Sequence, residues 1–162
     1  MKKILFTAAI AVLGFTSVNA QEGFSAQAGL SSVTLKVDAG DLSISNTESG
    51  FFVGIGYAFE IGEQLMLEPS ILYSSVQDLD ALYVPVMFKY AISDKFKVLA
   101  GPQVNYILDD LPEGQFGLDI AAGLGYDITE KLFAQARYGF QVSRDIDNLN
   151  VNTLQIGIGY RF

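Results

Sequence analysis

From Gln21 onward the sequence alternates between apolar and small or polar residues with a period of two. A strand sends successive side chains to opposite faces, so this pattern predicts β-structure with one apolar face per strand. Eight stretches carry it. Their apolar faces run Phe24 to Leu30, Phe51 to Phe59, Leu65 to Tyr73, Leu82 to Tyr90, Phe96 to Tyr106, Phe116 to Tyr126, Leu132 to Val142 and Leu154 to Phe162. The 16 glycines, 8 tyrosines and 12 phenylalanines suit twisted, aromatic-rich strands better than helices.

Two arrangements can satisfy eight such strands. A soluble barrel or sandwich turns the apolar faces inward, and a membrane barrel turns them outward to lipid. An eight-stranded barrel encloses a space just wide enough for side chains, and roughly forty apolar residues do not fit there. The opposite faces do fit, since they hold mainly glycine, serine, amides and a few long charged chains. The acids also gather between strands rather than on an outer surface, as at Asp78, Asp80, Asp109, Asp110, Glu113, Asp145 and Asp147. The expectation is an all-β fold: an eight-stranded antiparallel up-and-down transmembrane β-barrel. A soluble, exported, lipocalin-like ligand-binding barrel is the alternative. In the membrane topology Glu68, Lys89, Lys97, Asp119, Arg137 and Arg161 point into the lumen and are expected to form a salt-bridged plug, because unpaired charges there are costly.

The first twenty residues read as a cleavable signal peptide: Lys2 and Lys3, an apolar run from Ile4 to Phe15, then small residues before a cleavage point between Ala20 and Gln21. Residues 1–20 are thus expected to be a leader and 21–162 the barrel domain. Without Lys2 and Lys3 the 10 basic residues become 8 against 18 acidic, a net charge of −10 that disfavours nucleic acid as a partner. The chain contains no Cys and no His. That inventory excludes a lipid-modified N-terminal cysteine, a His-based catalytic triad and any metal site built on His or Cys. The acids Asp109, Asp110 and Glu113 lack EF-hand spacing and read as a solvated loop. No enzyme activity, cofactor or metal is expected.

Three connections share one template: FEIGEQL (59–65), YAISDKF (90–96) and YDITEKL (126–132). Such turns close tight hairpins. The connections at 38–49, 76–81, 109–115 and 144–150 are longer and more polar and are expected to be loops. Outer-membrane barrels have short periplasmic turns and longer outer loops, so both chain ends are expected in the periplasm. Aromatic residues cluster at both ends of the stretches, as interfacial girdles would. Pro69, Pro85 and Pro102 remove ladder donors, and bulges or ladder breaks are expected at each.

The segments LMLEPSILYS (65–74), LYVPVMFKYAISDKFKVLAGPQVNYIL (82–108) and GLDIAAGLGYDITEKLFAQARYGF (117–140) resemble the small outer-membrane β-barrel family widespread in Bacteroidetes, which includes PorT-type proteins. The three prolines fall where that family tends to place them. The resemblance implies fold and location, with outer-membrane lipid as the surroundings; with the filled lumen it leads to the expectation of a monomeric integral outer-membrane protein with a structural or surface-interaction role. It carries no activity beyond an analogy to accessory roles in protein secretion. The ending QIGIGYRF resembles the signal read by the barrel-assembly machinery, with Gln155, Gly157, Tyr160 and Phe162 matching position by position. Strand addition would let an incoming backbone pair while alternate side chains fit pockets.

Overall fold

In a computed structural model of the chain, the described residues are 23–39, 42–77, 79–109, 115–144 and 149–162. The expected leader and its cleavage point at Ala20 and Gln21 lie outside them, as do Asp110 and Glu113. Eight strands form among the described residues: β1 (Gly23–Ala39), β2 (Leu42–Gly62), β3 (Leu65–Val76), β4 (Leu79–Ala91), β5 (Phe96–Ile107), β6 (Phe116–Asp127), β7 (Leu132–Arg144) and β8 (Leu149–Arg161). Each pairs antiparallel with its sequence neighbours, and β1 pairs with β8 from Ser25↔Arg161 to Val37↔Leu149, which closes the barrel. The Phe162 amide adds one more bond, donating to the Phe24 carbonyl at 3.0 Å.

The burial pattern is the reverse of a soluble protein's. Ile71, Ile120, Leu124 and Ile158 are all more than half exposed, and Leu30 is 70% exposed. Glu68, Lys89, Lys97, Gln103, Asp119 and Arg137 are buried. A continuous exposed apolar belt of this size needs a membrane around it. Rings gather towards the belt's ends, as in the pairs Phe96–Tyr126 and Tyr160–Phe162 at one end and Tyr138–Phe140 towards the other.

The shared turn template yields the same structure twice. In the β5 approach the Ile92 and Ser93 amides donate to the Phe96 carbonyl, and the Ser93 hydroxyl accepts from Phe96 N at 3.1 Å. Ile128, Thr129 and Leu132 repeat this residue for residue, with Thr129 Oγ1 accepting from Leu132 N at 2.9 Å. The first copy has Gly62 where the others have Ser or Thr. Lacking that hydroxyl, it continues the strand to a Gly62↔Leu65 pair with a register shift, leaving a two-residue turn.

The prolines interrupt their ladders without shifting them. Pairing stops between Gly56↔Ser70 and Phe59↔Leu67, between Pro69↔Val86 and Leu72↔Tyr83, and between Pro85↔Gln103 and Phe88↔Ala100. The register resumes unchanged after each gap, so these are breaks and not bulges. The three gaps step across β2, β3, β4 and β5. The β5–β6 ladder, by contrast, is unbroken from Phe96↔Tyr126 to Tyr106↔Phe116. A net backbone hydrogen bond contributes about 0.5–1.5 kcal/mol, so amides beside the gaps should exchange with solvent deuterium about tenfold faster than β5–β6 amides at similar depth. Equal rates on the two walls would contradict this.

Two expected loops are not loops. Val76 of β3 pairs directly with Leu79 of β4, so 76–81 is a tight hairpin. The stretch 38–49 continues β1 and β2 as a long hairpin, paired through Asp38↔Ser43 and Ala39↔Leu42. The two faces exchange character along it. Below Leu30 and Phe51 the outward residues are apolar. Above them the outward residues are Ser32, Thr34, Thr47 and Ser49, joined by Ser32–Ser49 and Thr34–Thr47 hydroxyl bonds of 3.1 and 3.0 Å. Inward, Val33 packs with Val76 and Val151, with Leu35 against them. That is the polarity of a soluble protein, and it marks where the wall leaves the membrane. β3 accompanies β2 only from Phe51↔Ser75, so the hairpin's upper part pairs with β1 alone on that side.

Candidate functional site: the barrel interior

The interior is a stack of side-chain layers. Next to the short turns, Asp127 at the end of β6 receives Lys97 Nζ at 2.5 Å and Arg161 Nη2 at 2.6 Å. Arg161 also donates from Nη1 to the Glu130 carbonyl at 3.2 Å. Its guanidinium lies 4.5 Å from the Phe133 ring centre, and Lys89 Nζ lies 5.2 Å from the same ring. The ring has this room because its cross-strand partner is Gly159, where any Cβ would overlap it.

Deeper in, Glu68 and Lys89 form an ion pair of 2.7 Å with side chains only 3% and 4% exposed. Around it Gln27 donates to Ser70 Oγ at 3.4 Å and accepts from Gln135 at 2.5 Å. Arg137 donates to Gln155 Oε1 at 2.6 Å. On the far wall Asp119 Oδ2 accepts from Gln103 and Asn105 at 3.0 and 2.9 Å, and Arg144 donates to Asn105 at 2.5 Å. Apolar groups fill the intervals: Phe52, Leu72, Ala81 and Tyr83 in one cluster, Met87, Leu99 and Ala121 in another. The Tyr83 hydroxyl reaches Thr153 at 3.3 Å. The Val33, Val76 and Val151 group then caps the long-loop end.

All six lumen residues named from sequence lie inside, but they do not form one plug. Glu68 and Lys89 are brought together. Lys97 and Arg161 meet through Asp127, which the sequence reading left in a turn. Asp119 and Arg137 are held by amides. The ladder explains their separation: Arg137 faces Gly123, four residues along β6 from Asp119, or about 13 Å. Both acceptor and donor groups remain only partly used there, since Asp119 Oδ1 and Arg137 Nε lack a partner among the described residues. Gln141, on the polar face of β7, extends this network. Its Oε1 accepts from Val151 N at 2.8 Å, where backbone pairing of β7 with β8 has ended at Gly139↔Thr153.

Of the residues resembling an assembly signal, Gln155 faces the lumen and is buried, while Tyr160 is exposed on the belt and stacks edge-on against Phe162 at 5.4 Å. Gly157 pairs with Gly29. Asp109, from the acidic loop, accepts the Asp80 amide at 3.0 Å. Among the described residues no group of three or more acidic, His or Cys side chains is placed to hold a metal ion.

Residues 6–162 match the family described as the outer membrane protein beta-barrel domain. The chain belongs to this family. Solved barrels share the fold at low identity. Ail, the attachment invasion locus protein of Yersinia pestis, superposes with a TM-score of 0.55 at 22% identity, over 87% of this chain and 99% of Ail. The N-terminal barrel of Pseudomonas aeruginosa OprF gives 0.51 at 17% identity, over 88% and 100%. A de novo designed transmembrane barrel gives 0.56 at 15%, over 90% and 100%. No match was found among curated proteins. For an outer-membrane β-barrel the exposed belt is the lipid-facing wall, and the soluble lipocalin-like alternative is set aside because it requires the opposite burial.

Proposed function

We propose that this outer-membrane β-barrel is a monomeric, non-enzymatic, sealed anchor whose outer hairpin meets partners at the cell surface. The observation that carries the reading is the filled lumen. Phe52, Leu72, Met87, Gln103, Glu68, Asp119 and Pro85 are all fully buried within it, which leaves side chains where a pore would need water. The hairpin of β1 and β2 supplies a water-compatible surface above the belt.

In this reading the short turns and both chain ends face the periplasm, residues 1–20 are removed after Ala20, and the chain is of the Bacteroidetes type. The orientation rests on the contrast between tight turns and the long hairpin. The membership of that branch rests on the templated turns and Pro69, Pro85 and Pro102. Gln155, Gly157, Tyr160 and Phe162 are read as the assembly signal, with the barrel-assembly machinery as partner during biogenesis. Purified protein inserted in planar bilayers is expected to give no steady conductance. Sustained single-channel currents would overturn the sealed-anchor reading.

A further inference from the structure

The ladder gaps coincide with a depression on the lipid side of the wall. An apolar groove of about 300 Å³ is lined there by Phe24, Ile55, Tyr57, Pro69, Ile71 and Val84. Gly56 and Ser70 form its floor, and they are the last pair before the β2–β3 gap. The wall is low here because Pro69 has a short ring where Leu67 and Ile71, on the same face of β3, carry longer side chains. Gly56 and Ser70 face the lumen, where a Cβ on Gly56 would come within 2.5 Å of Ser70 Oγ, so they present backbone on the lipid side. The groove starts at Phe24, one residue into β1, and ends at Val84, seven residues from the Ala91 end of β4. It therefore rises from the short-turn rim towards mid-wall across four strands, a shape that follows an acyl chain entering from that side.

We propose that this groove is a binding site for one acyl chain of a phospholipid in the leaflet on the short-turn side. The groove lies inside the exposed apolar belt, so hydrocarbon covers it, and its lining is carbon apart from the Tyr57 hydroxyl and the edge of the floor. Lipid tails are as apolar as the wall, so burial from water supplies no preference. Preference comes from contact: a chain that fills the groove gains carbon–carbon contacts along its length, and an unfilled groove would leave a void in the bilayer. Identifying that leaflet as periplasmic rests on the orientation proposed above, whereas the groove itself does not.

The test uses the full mature barrel in large vesicles, with a phospholipid bearing a diazirine in one acyl chain added to one leaflet at a time. Cross-links are mapped by mass spectrometry. Tyr57, Ile71 and Val84 should be labelled about threefold more than Ile120 and Leu124 on the other walls, although those two are the more exposed. Val84→Trp should fill the groove and bring labelling of Tyr57 and Ile71 down to that of the other walls. Pro69→Ala, which restores the amide without filling the groove, should retain the excess. Even labelling around the belt, or cross-links between two copies of the chain at Tyr57 or Ile71, would overturn the proposal. Excess labelling from the long-loop leaflet alone would also overturn it. Protease access to the hairpin assigns the short-turn leaflet in the vesicles, and the same protease on intact cells tests the orientation separately: a hairpin cut only after the cells are opened, with excess labelling from the short-turn leaflet, would retain the groove and reject only the orientation.

Discussion

Glu68→Ala should destabilise the barrel by about 3–5 kcal/mol, the largest single effect expected of any side-chain truncation in the lumen. The change leaves the Lys89 ammonium buried without its carboxylate, beside the Phe133 ring 5.2 Å away. Urea unfolding in vesicles, followed by the folded band that runs differently on unboiled gels, measures the loss. The double variant Glu68→Leu with Lys89→Met should recover most of it, because apolar groups of similar volume replace a buried ion pair at little net cost. An unchanged midpoint in Glu68→Ala would mean that water reaches this pair and that the lumen is not sealed.

Gly157→Val should abolish closure of the barrel. Gly157 lies opposite Gly29 where β8 meets β1, and a Cβ on it would approach the Ala28 carbonyl oxygen to 2.5 Å and the Phe52 ring to 2.7 Å. The first contact is with backbone, which cannot step aside without breaking the ladder. No folded band is expected after refolding into vesicles. Deleting Phe162 should behave differently: it removes one hydrogen bond to Phe24 and a ring contact with Tyr160, so refolding in vitro should stay near the parent's yield. In cells the deletion should lower the outer-membrane level several-fold if the assembly machinery reads that residue. A refolding defect as severe as that of Gly157→Val would instead make Phe162 a structural residue. The glycine thus has a packing role independent of any signal it carries.

Strand number, the outward apolar face and the inward charges were legible because period two is a strong signal when glycine, serine and amides mark the second face. Ile120 and Asp119, adjacent in sequence, show it: one is more than half exposed and the other fully buried. The hairpin beyond Leu30 was misread for a related reason. Its alternation persists but with reversed sign, so a rule that equates outward with apolar finds only polar loop. Asp127 was missed because it follows Tyr126 at the start of a templated turn, and position in a turn says nothing of which lumen cations reach back to it. The separation of Asp119 from Arg137 depends on register between β6 and β7, which single-strand patterns do not contain. Ladder breaks at the prolines followed directly from the missing N–H; that no register shift accompanies them required the pairing itself.

The change of sign along β1 and β2 has a consequence for how the chain can vary. Within the belt, a substitution from apolar to polar on the outer face is penalised by lipid, and one on the inner face by the packed lumen. Past Leu30 and Phe51 the outer face answers only to water, and the Thr34–Thr47 and Ser32–Ser49 pairs tolerate exchange for other strand-forming polar residues. Sequence drift, epitope change and inserted tags are therefore expected to concentrate on that outer face of the hairpin, while the packed Val33, Val76 and Val151 constrain its inner face.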